Sequence, residues 1–392
     1  MESNNRRSLY ILAFALAVVT IGFGVVMPII PFYMENLGAG GTELGLLVAS
    51  YAVMRLIFGP VWGSLSDRVG RKPIMMIGVL GYGITMIGFG LATKLWMMFA
   101  ARSLSGILSS ATSPTTMAYI GDSTSERDRS AGMGVLGAAA GIGTIFGPAL
   151  GGLLADFSLS TPFFFAAGMS LLSIILIAIF LPESLSKENS TDRGAQSTAL
   201  DLKAWWRALS SPLGPLLIEA FIVMAGLTFF FGIFGLYALE RFNYGTREVG
   251  VVFTVLGLMM AIGQGVLVGP LSRRFGDVSV MKLGFLLSAI GLITMMLADR
   301  FWLLLVTTAF FSLANALVTP AVSALTSKRT QMNQGVTMGL SNAFNSLGRI
   351  FGPPLGGVVF DIDWRFPFIG AALLMGVGYI VGLRVEDRGE VD

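Results

Sequence analysis

Long runs of apolar residues, separated by short polar segments, dominate the chain. The runs are continuously apolar and rich in Gly, Ala and Leu, which favours helices over the shorter alternating segments of a closed β-barrel. Each run approaches or exceeds the roughly 20 residues that a helix needs to cross a bilayer. The pattern predicts twelve transmembrane helices, over 9–30, 44–62, 74–93, 95–120, 131–155, 163–181, 213–239, 249–270, 280–298, 301–325, 336–359 and 366–383.

Composition supports a membrane location. Hydrophobic residues make up 54% of the 392 positions and charged residues only 12%, against about 25% charged in ordinary soluble domains. The apolar run after Arg6 and Arg7 extends beyond the length of a signal peptide and has no small-residue cleavage site, so we interpret it as the first membrane span. The chain has no cysteine and no histidine. Any proton relay must therefore use carboxylates, arginines, hydroxyls and water.

The distribution of Lys and Arg between alternate loops predicts the orientation. With a cytoplasmic N-terminus, eighteen basic residues lie on the cytoplasmic side and five on the other. We expect both termini in the cytoplasm and the protein in the cell (inner) membrane. The pI of about 9.2 follows from this asymmetry and does not indicate nucleic-acid binding.

The polar segment 182–212 separates two similar halves, 1–181 and 213–392. We interpret it as a cytoplasmic linker with a short interfacial helix over 202–209. Motifs recur between the halves at offsets of 206 and 205 residues, which indicates internal duplication. We predict an all-α fold of two six-helix bundles, related by an axis along the membrane normal, with a substrate route between them. The recurring motifs are GSLSDRVGRKPIMMIG from Gly63 with GPLSRRFGDVSVMKLG from Gly269, and IFGPALGG from Ile145 with IFGPPLGG from Ile350.

Three motifs resemble signatures of the major facilitator superfamily, and specifically of its twelve-helix drug:proton antiporters. GSLSDRVGRKP over 63–73 matches the loop between helices 2 and 3, and GIGTIFGPALGG over 141–152 matches the exporter motif of helix 5. ARSLSG over 101–106 matches the helix 4 motif in part, because Ser105 replaces its usual glutamine. The resemblance implies a monomeric secondary transporter of small molecules. The proton gradient would drive it, and it would need no cofactor and no metal.

The resemblance also implies a conformational latch in the first motif. In the family, the aspartate matching Asp67 contacts the start of helix 11, and the arginine matching Arg71 pairs with an acid at the end of helix 4, where Asp122 stands. The alternative is a positively charged turn that only fixes topology. The second copy of the motif carries Arg273 in place of Asp67, so only the first latch is expected to be complete. The predicted latch residues are Gly63, Asp67, Arg68, Gly70, Arg71 and Asp122.

Glycines at a spacing of four residues in helix 5 predict close packing against another helix in lipid. Prolines in the same motifs remove a backbone donor and can bend the helix. A phosphate-binding loop is the alternative interpretation, but no strand precedes these glycines and no GKS or GKT follows them. The predicted hinge consists of Gly143, Gly147, Pro148, Gly151, Gly152, Gly352 and Pro353.

Four ionisable residues lie well inside predicted spans, and each costs roughly 2.5 to 3.5 kcal/mol at the bilayer centre. We therefore expect them in a substrate cavity, together with polar stripes on helices 4, 10 and 11 and aromatic residues of helix 7. Helix-packing hydrogen bonds and lipid contact are the alternatives. The predicted cavity residues are Arg55, Arg102, Ser105, Ser109, Thr112, Phe230, Phe234, Asn315, Asn345 and Arg349.

Glu219 is the carboxylate that lies well inside a span, about two turns into helix 7. We predict that it carries the transported proton, with Arg102 as its partner in coupling. The alternative is a carboxylate that snorkels to the interface. Helix 1 lacks the acid that is frequent in exporters of cations, so a cavity containing all four ionisable residues would be net positive.

Two functions remain open. We favour proton-coupled efflux of amphipathic small molecules by rocker-switch alternating access; the alternative is transport of a metabolite such as a sugar or an organic anion, possibly by symport. An enzyme is not expected, because the chain has no His, no Cys and no intramembrane pair of acids. A receptor is not expected either, because the linker and tails leave no room for an added cytoplasmic domain.

Overall fold

The computed structural model describes residues 3–123, 126–184, 202–330 and 334–385. Within these ranges the chain is helical and contains no strand. The α-helices are α1 Ser3–Val26, α2 Ile30–Asn36, α3 Gly41–Val69, α4 Arg71–Gly90, α5 Leu95–Ser109, α6 Thr112–Ser123, α7 Glu126–Ala155, α8 Thr161–Phe180, α9 Leu202–Leu209, α10 Gly214–Phe231, α11 Phe234–Phe242, α12 Thr246–Ile262, α13 Val268–Phe275, α14 Asp277–Met296, α15 Phe301–Lys328, α16 Gln334–Phe360 and α17 Phe366–Leu383.

The helices reproduce the predicted membrane spans. Ten helical stretches among the described residues are long and apolar enough to cross a membrane. Predicted span 4 is present as α5 and α6, and predicted span 11 as α16. Several spans are interrupted: span 4 breaks after Ser109, span 7 breaks at 232–233, and a π-helical turn at Gly263–Leu267 joins α12 to α13. The short helix predicted over 202–209 is α9.

The polar motif at 63–73 is helical rather than an extended loop. Helix α3 continues to Val69 and α4 begins at Arg71, so Gly70 alone separates them. Gly70 has φ of +121°, a conformation that other residues rarely adopt, and this allows the chain to reverse within one residue. Its repeat counterpart Gly276 has φ of +79° and separates α13 from α14 in the same way.

The chain forms two compact units whose sequence ranges interleave. Unit 1 contains residues 1–39, 50–196 and 238–254, and unit 2 contains 40–49, 197–237 and 255–392. The first turns of α3 therefore pack within unit 2. The end of predicted span 7 and the start of α12 pack within unit 1.

In unit 1, α1 packs against α7 and α8, and α4 packs against α5 and α8. Leu12, Met75, Val79 and Ile177 lie in its buried apolar core. In unit 2, α10 packs against α16 and α17, while α14 packs against α15 and α17. The pairing of α1 with α7 thus recurs as the pairing of α10 with α16, as the internal duplication predicts.

Large apolar side chains cover much of the outer surface. Trp302 is 77% exposed and Ile362 70% exposed, and similar residues are spread over α4, α8 and α17. Such a surface would be unstable in water but is expected where helices face lipid.

Candidate functional site

Arg71 is the buried centre of an ionic cluster at the start of α4. Its side chain is only 3% exposed and forms an ion pair with Asp67, one turn earlier in α3. Its Nε donates to a carboxylate oxygen of Asp122 at 3.0 Å, and its Nη1 donates to the Ser66 hydroxyl at 2.8 Å. The cluster ties the junction of α3 and α4 to the end of α6, which is the pairing that the resemblance implied for Arg71 and Asp122.

Glu183 is a member of this junction that the sequence did not indicate. One of its carboxylate oxygens accepts a hydrogen bond from the backbone N–H of Arg71 at 2.9 Å, and the other accepts one from Lys72 at 3.1 Å. Glu183 therefore caps the N-terminus of α4, where the helix dipole favours an anion. Within the described part of unit 1, the Asp67 carboxylate pairs with Arg71 and does not cap a helix. The predicted contact of Asp67 with the start of helix 11 stays a prediction.

Other predicted latch residues have simpler environments. A Cβ atom added at Gly63 would meet no other atom within 4 Å, so close packing does not require a glycine there. Arg68 is exposed in the last turn of α3. Gly70 is required by its backbone conformation, and a Cβ there would also approach the Glu183 carboxylate at 2.6 Å.

The hinge glycines of α7 allow direct backbone contact with α1. A Cβ at Gly147 would lie 2.7 Å from the Cα of Gly24, and one at Gly151 would overlap the carbonyl of Val25. A Cβ at Gly143 would lie 2.6 Å from the backbone nitrogen of Ile21 and would also meet the Thr20 side chain. In unit 2, a Cβ at Gly352 would lie 2.7 Å from the carbonyl oxygen of Ala225 in α10. The repeated motif is therefore a repeated helix-packing surface.

The prolines of the same motif contact a second helix in each unit. A Cβ at Gly250 in α12 would lie 2.6 Å from the carbonyl oxygen of Pro148. In unit 2, the backbone of Pro353 takes the equivalent place beside Gly45 in α3. Gly152 lies against Thr246, just as Gly357 lies against Gly41.

A carboxylate at the end of α16 caps α3. The backbone N–H groups of Gly41 and Thr42 donate to Asp361 at 2.7 and 2.9 Å, and the Thr42 hydroxyl donates to the same carboxylate. The first turns of α3 thus join unit 2 through a charged cap as well as through close packing. The sequence pattern did not indicate Asp361.

Arg102 is buried in unit 1 between aromatic rings. Its guanidinium carbon lies 4.7 Å from the ring centroid of Tyr51 and 5.9 Å from that of Phe23. The Tyr51 and Ser109 hydroxyls are 3.2 Å apart. Among the described residues, no hydrogen-bond partner reaches the Nε of Arg102, the Ser105 hydroxyl or the Thr112 hydroxyl. Arg55, one turn after Tyr51, is exposed.

Predicted cavity residues of unit 2 are mostly buried. Asn315 is 1% exposed in α15, and its amide has no partner among the described residues. Asn345 is half-buried and Arg349 exposed on α16. Phe230 and Phe234 are buried against each other, with ring centroids 5.2 Å apart. Phe230 also packs against Phe311 and Phe368, so in this structure the two rings belong to an aromatic core.

Glu219 is completely buried in α10 of unit 2. Neither carboxylate oxygen has a hydrogen-bond partner among the described residues. Gly382 of α17 lies beside the carboxylate, and the charges of Arg329 and Lys282 act on it. The side chain therefore points into the helical unit and does not snorkel to its surface.

Comparison with known proteins identifies the family. The model of the Major Facilitator Superfamily matches residues 12–267 and 216–391. Multidrug resistance protein 2 of Bacillus subtilis (strain 168) is 31% identical over 380 residues, covering 96% of this chain and 94% of the relative. The quinolone resistance protein NorA of Staphylococcus aureus (strain MRSA252) is 26% identical and covers 96% of each chain.

A solved structure agrees in fold. The human organic anion transporter MFSD10 superposes with a TM-score of 0.71 at 22% identity, covering 96% of this chain and 99% of that chain. The chain belongs to the Major Facilitator Superfamily. It is a multi-pass membrane transporter of small molecules and not an enzyme.

Proposed function

We propose that this protein exports amphipathic small molecules across the cell membrane in exchange for protons. The observation that carries the proposal is Glu219, a fully buried intramembrane carboxylate whose oxygens lack hydrogen-bond partners among the described residues. Such a group is stable when protonated and costly when ionised, so its proton affinity responds strongly to any change in local hydration or charge. The multidrug and quinolone resistance relatives support export as the direction.

In this mechanism, Glu219 takes up a proton in one conformation and loses it in the other. The positive charges of Lys282 and Arg329 stabilise its ionised form when the packing around α10 and α17 loosens. Arg102 supplies the positive charge on the substrate side of the cycle. The transporter works as a monomer with both termini in the cytoplasm, and the proton gradient drives the cycle without any cofactor.

The cluster around Arg71 acts as the cytoplasmic latch of this cycle. Arg71 is buried in both of its ion pairs, with Asp67 and Asp122, and a conformation that separates them must rehydrate its guanidinium. The glycine-packed pairs α1 with α7 and α10 with α16 move as rigid elements, because their backbones are in direct contact.

Proteoliposomes containing a pH-sensitive dye test the proposal. Adding an amphipathic substrate to one side should drive protons through the wild-type protein from the opposite side to the side of addition, at a rate that saturates with substrate. Liposomes without protein give one background. Proteoliposomes in which a protonophore has collapsed the proton gradient give the other. Substrate movement without any proton movement would contradict antiport, and proton movement in the same direction as the substrate would establish symport instead.

A further inference from the structure

Two arginines flank a single tyrosine in unit 1. Arg102 lies against the face of the Tyr51 ring, and Arg55 follows Tyr51 by one helical turn, so that its charge acts on the Tyr51 hydroxyl. Arg102 is 3% exposed, whereas Arg55 is exposed on the same helix as Tyr51. Positive charge therefore extends from the surface of the unit into its interior along one aromatic side chain.

Carboxylates do not balance this charge. The groups that act electrostatically on Arg102 are the phenols of Tyr51 and Tyr82, and no ion pair joins either arginine to an acid in the described part of unit 1. The Nε of Arg102 has no hydrogen-bond partner there, and neither has the Tyr82 hydroxyl. A buried guanidinium without a counter-charge is unfavourable, and contact with aromatic rings offsets this only in part.

The aromatic rings beside Arg102 favour a particular shape of anion. Phe23 and Tyr51 are half-buried, with ring centroids 6.1 Å apart and planes inclined by 40°. Both rings lie beside the guanidinium, so they offer apolar contact to a flat group attached to an anion that binds Arg102. An arginine binds a planar carboxylate through two parallel hydrogen bonds, which a single-point cation such as lysine cannot reproduce.

We propose that Arg102, Arg55 and Tyr51 form a recognition site for the carboxylate of aromatic acids, and that aromatic carboxylates are the substrate class that this transporter prefers. This inference rests on the proposed export function. Arg102 makes the charge-assisted contact in the interior, Phe23 and Tyr51 contact the ring system, and Arg55 attracts the anion at the surface. Neutral and cationic analogues of the same shape leave the guanidinium without a counter-charge and bind more weakly.

A matched set of probes tests the proposal on the full-length protein in nanodiscs. Radiolabelled 2-naphthoate binding is measured by scintillation proximity at pH 7, with empty nanodiscs as background. Unlabelled 2-naphthoate, 2-naphthamide and 2-naphthyltrimethylammonium then compete for the site. We expect naphthoate to compete about 10- to 100-fold better than the amide, in the range of a hydrogen-bonded charge pair, and the cation to compete least.

Variants locate the preference. Arg102→Gln should reduce the affinity for naphthoate to that for the amide. Arg102→Lys should retain only part of the difference in affinity between the two. Arg55→Gln changes an exposed side chain and should fold normally. It should lower the affinity for naphthoate several-fold and leave the affinity for the amide unchanged. Lys94→Gln removes an exposed charge at the start of α5, away from the rings, and should change nothing.

Several results would overturn the proposal: no naphthoate binding, equal competition by the amide or the cation, or an unchanged preference in both Arg102→Gln and Arg55→Gln. Proton measurements keep this separate from the export mechanism. Acid-selective binding without proton movement would reject antiport and leave the recognition site intact. Proton-coupled transport without acid selectivity would reject the recognition site and leave antiport intact.

Discussion

Lys328 and Asp277 form an ion pair with an Nζ to Oδ2 distance of 3.0 Å, at the places that Asp122 and Arg71 occupy in the first half of the chain. Each residue lies 206 positions after its counterpart, and the two pairs carry their charges in reverse order. Arg71 and Asp122 are also 3.0 Å apart. Both halves therefore contain an ionic contact at equivalent positions, between α4 and α6 in the first half and between α14 and α15 in the second. The positive and negative partners are exchanged between the two.

The two pairs should differ in their contribution to stability. The side chain of Arg71 is 3% exposed and that of Lys328 is 66% exposed. Arg71→Gln removes the charge-assisted contacts of a buried guanidinium and should cost about 1.5–3 kcal/mol, whereas Lys328→Gln should cost at most about 1 kcal/mol. Thermal unfolding in detergent, followed by tryptophan fluorescence, should show a much larger decrease in Tm for Arg71→Gln. Equal decreases would contradict the assigned difference in burial.

The sequence predicted one half of this relationship. The apolar runs and the repeat offset located the helices, and the resemblance identified Arg71 and Asp122. Charge reversal concealed the second pair, because a comparison of identical residues does not score an Asp opposite an Arg. Glu183 and Asp361 were missed for another reason: each caps a helix that is remote in sequence, and hydrophobic periodicity contains no information on such contacts.

The interruptions of the helices were also not predicted. Span 4 breaks at 110–111, within the polar stretch SSATSPTT over 109–116, whereas span 7 breaks at 232–233 within an apolar run. Apolar content reports that a segment enters the membrane, but it does not report where neighbouring helices stabilise a break. The burial of Phe230 and Phe234 in an aromatic core likewise depends on α15 and α17, which pattern alone does not place beside α10.

The cap that Asp361 provides should be measurable at the start of α3. Asp361→Asn retains one acceptor oxygen but loses the charge, and it should cost about 1 kcal/mol through the helix dipole and the charged hydrogen bonds. Hydrogen exchange of the backbone amides of Gly41 and Thr42 should become faster. These amides are the donors to the carboxylate, so they report on the cap directly.

Asp156 offers a matched control for this cap. It stands 205 positions before Asp361 in the repeat, and no side-chain partner is found for its exposed carboxylate among the described residues. Asp156→Asn should leave both Tm and exchange at the start of α3 unchanged. Similar effects of the two substitutions would show that the Asp361 cap contributes nothing specific.

Close packing of α7 against α1 should make Gly147 sensitive to a single methyl group. A Cβ there would lie 2.7 Å from the Cα of Gly24 and 2.8 Å from the carbonyl oxygen of Ile21, so the helices must separate. We expect Gly147→Ala to cost about 1–3 kcal/mol, in the range of overpacked cores. The decrease should appear in the thermal midpoint and in the rate of transport.

Gly141 lies in the same helix and provides the comparison. A Cβ there would meet no atom within 4 Å, so Gly141→Ala should be neutral or should stabilise the helix by about 0.5–1 kcal/mol. If Gly141→Ala destabilised the protein as much as Gly147→Ala does, the α1–α7 contact would not be the cause of the effect.

Burial predicts how Glu219→Gln affects folding. The carboxyl group is 0% exposed and its oxygens have no hydrogen-bond partner among the described residues, so ionisation there is costly and an amide, which cannot ionise, removes that cost. Thermal unfolding at neutral pH should show an unchanged or higher Tm for this variant. A large decrease would show that the ionised carboxylate stabilises unit 2 through Lys282 and Arg329.

Transport by Glu219→Gln tests proton coupling most directly when two assays are run on the same proteoliposomes. Counterflow of labelled substrate without any ion gradient requires only alternating access, whereas accumulation driven by an imposed pH gradient at clamped voltage requires coupling. We predict that Glu219→Gln retains counterflow and loses gradient-driven accumulation, while wild type shows both. Gradient-driven accumulation at the wild-type level in Glu219→Gln would contradict the assignment of Glu219 as the proton carrier.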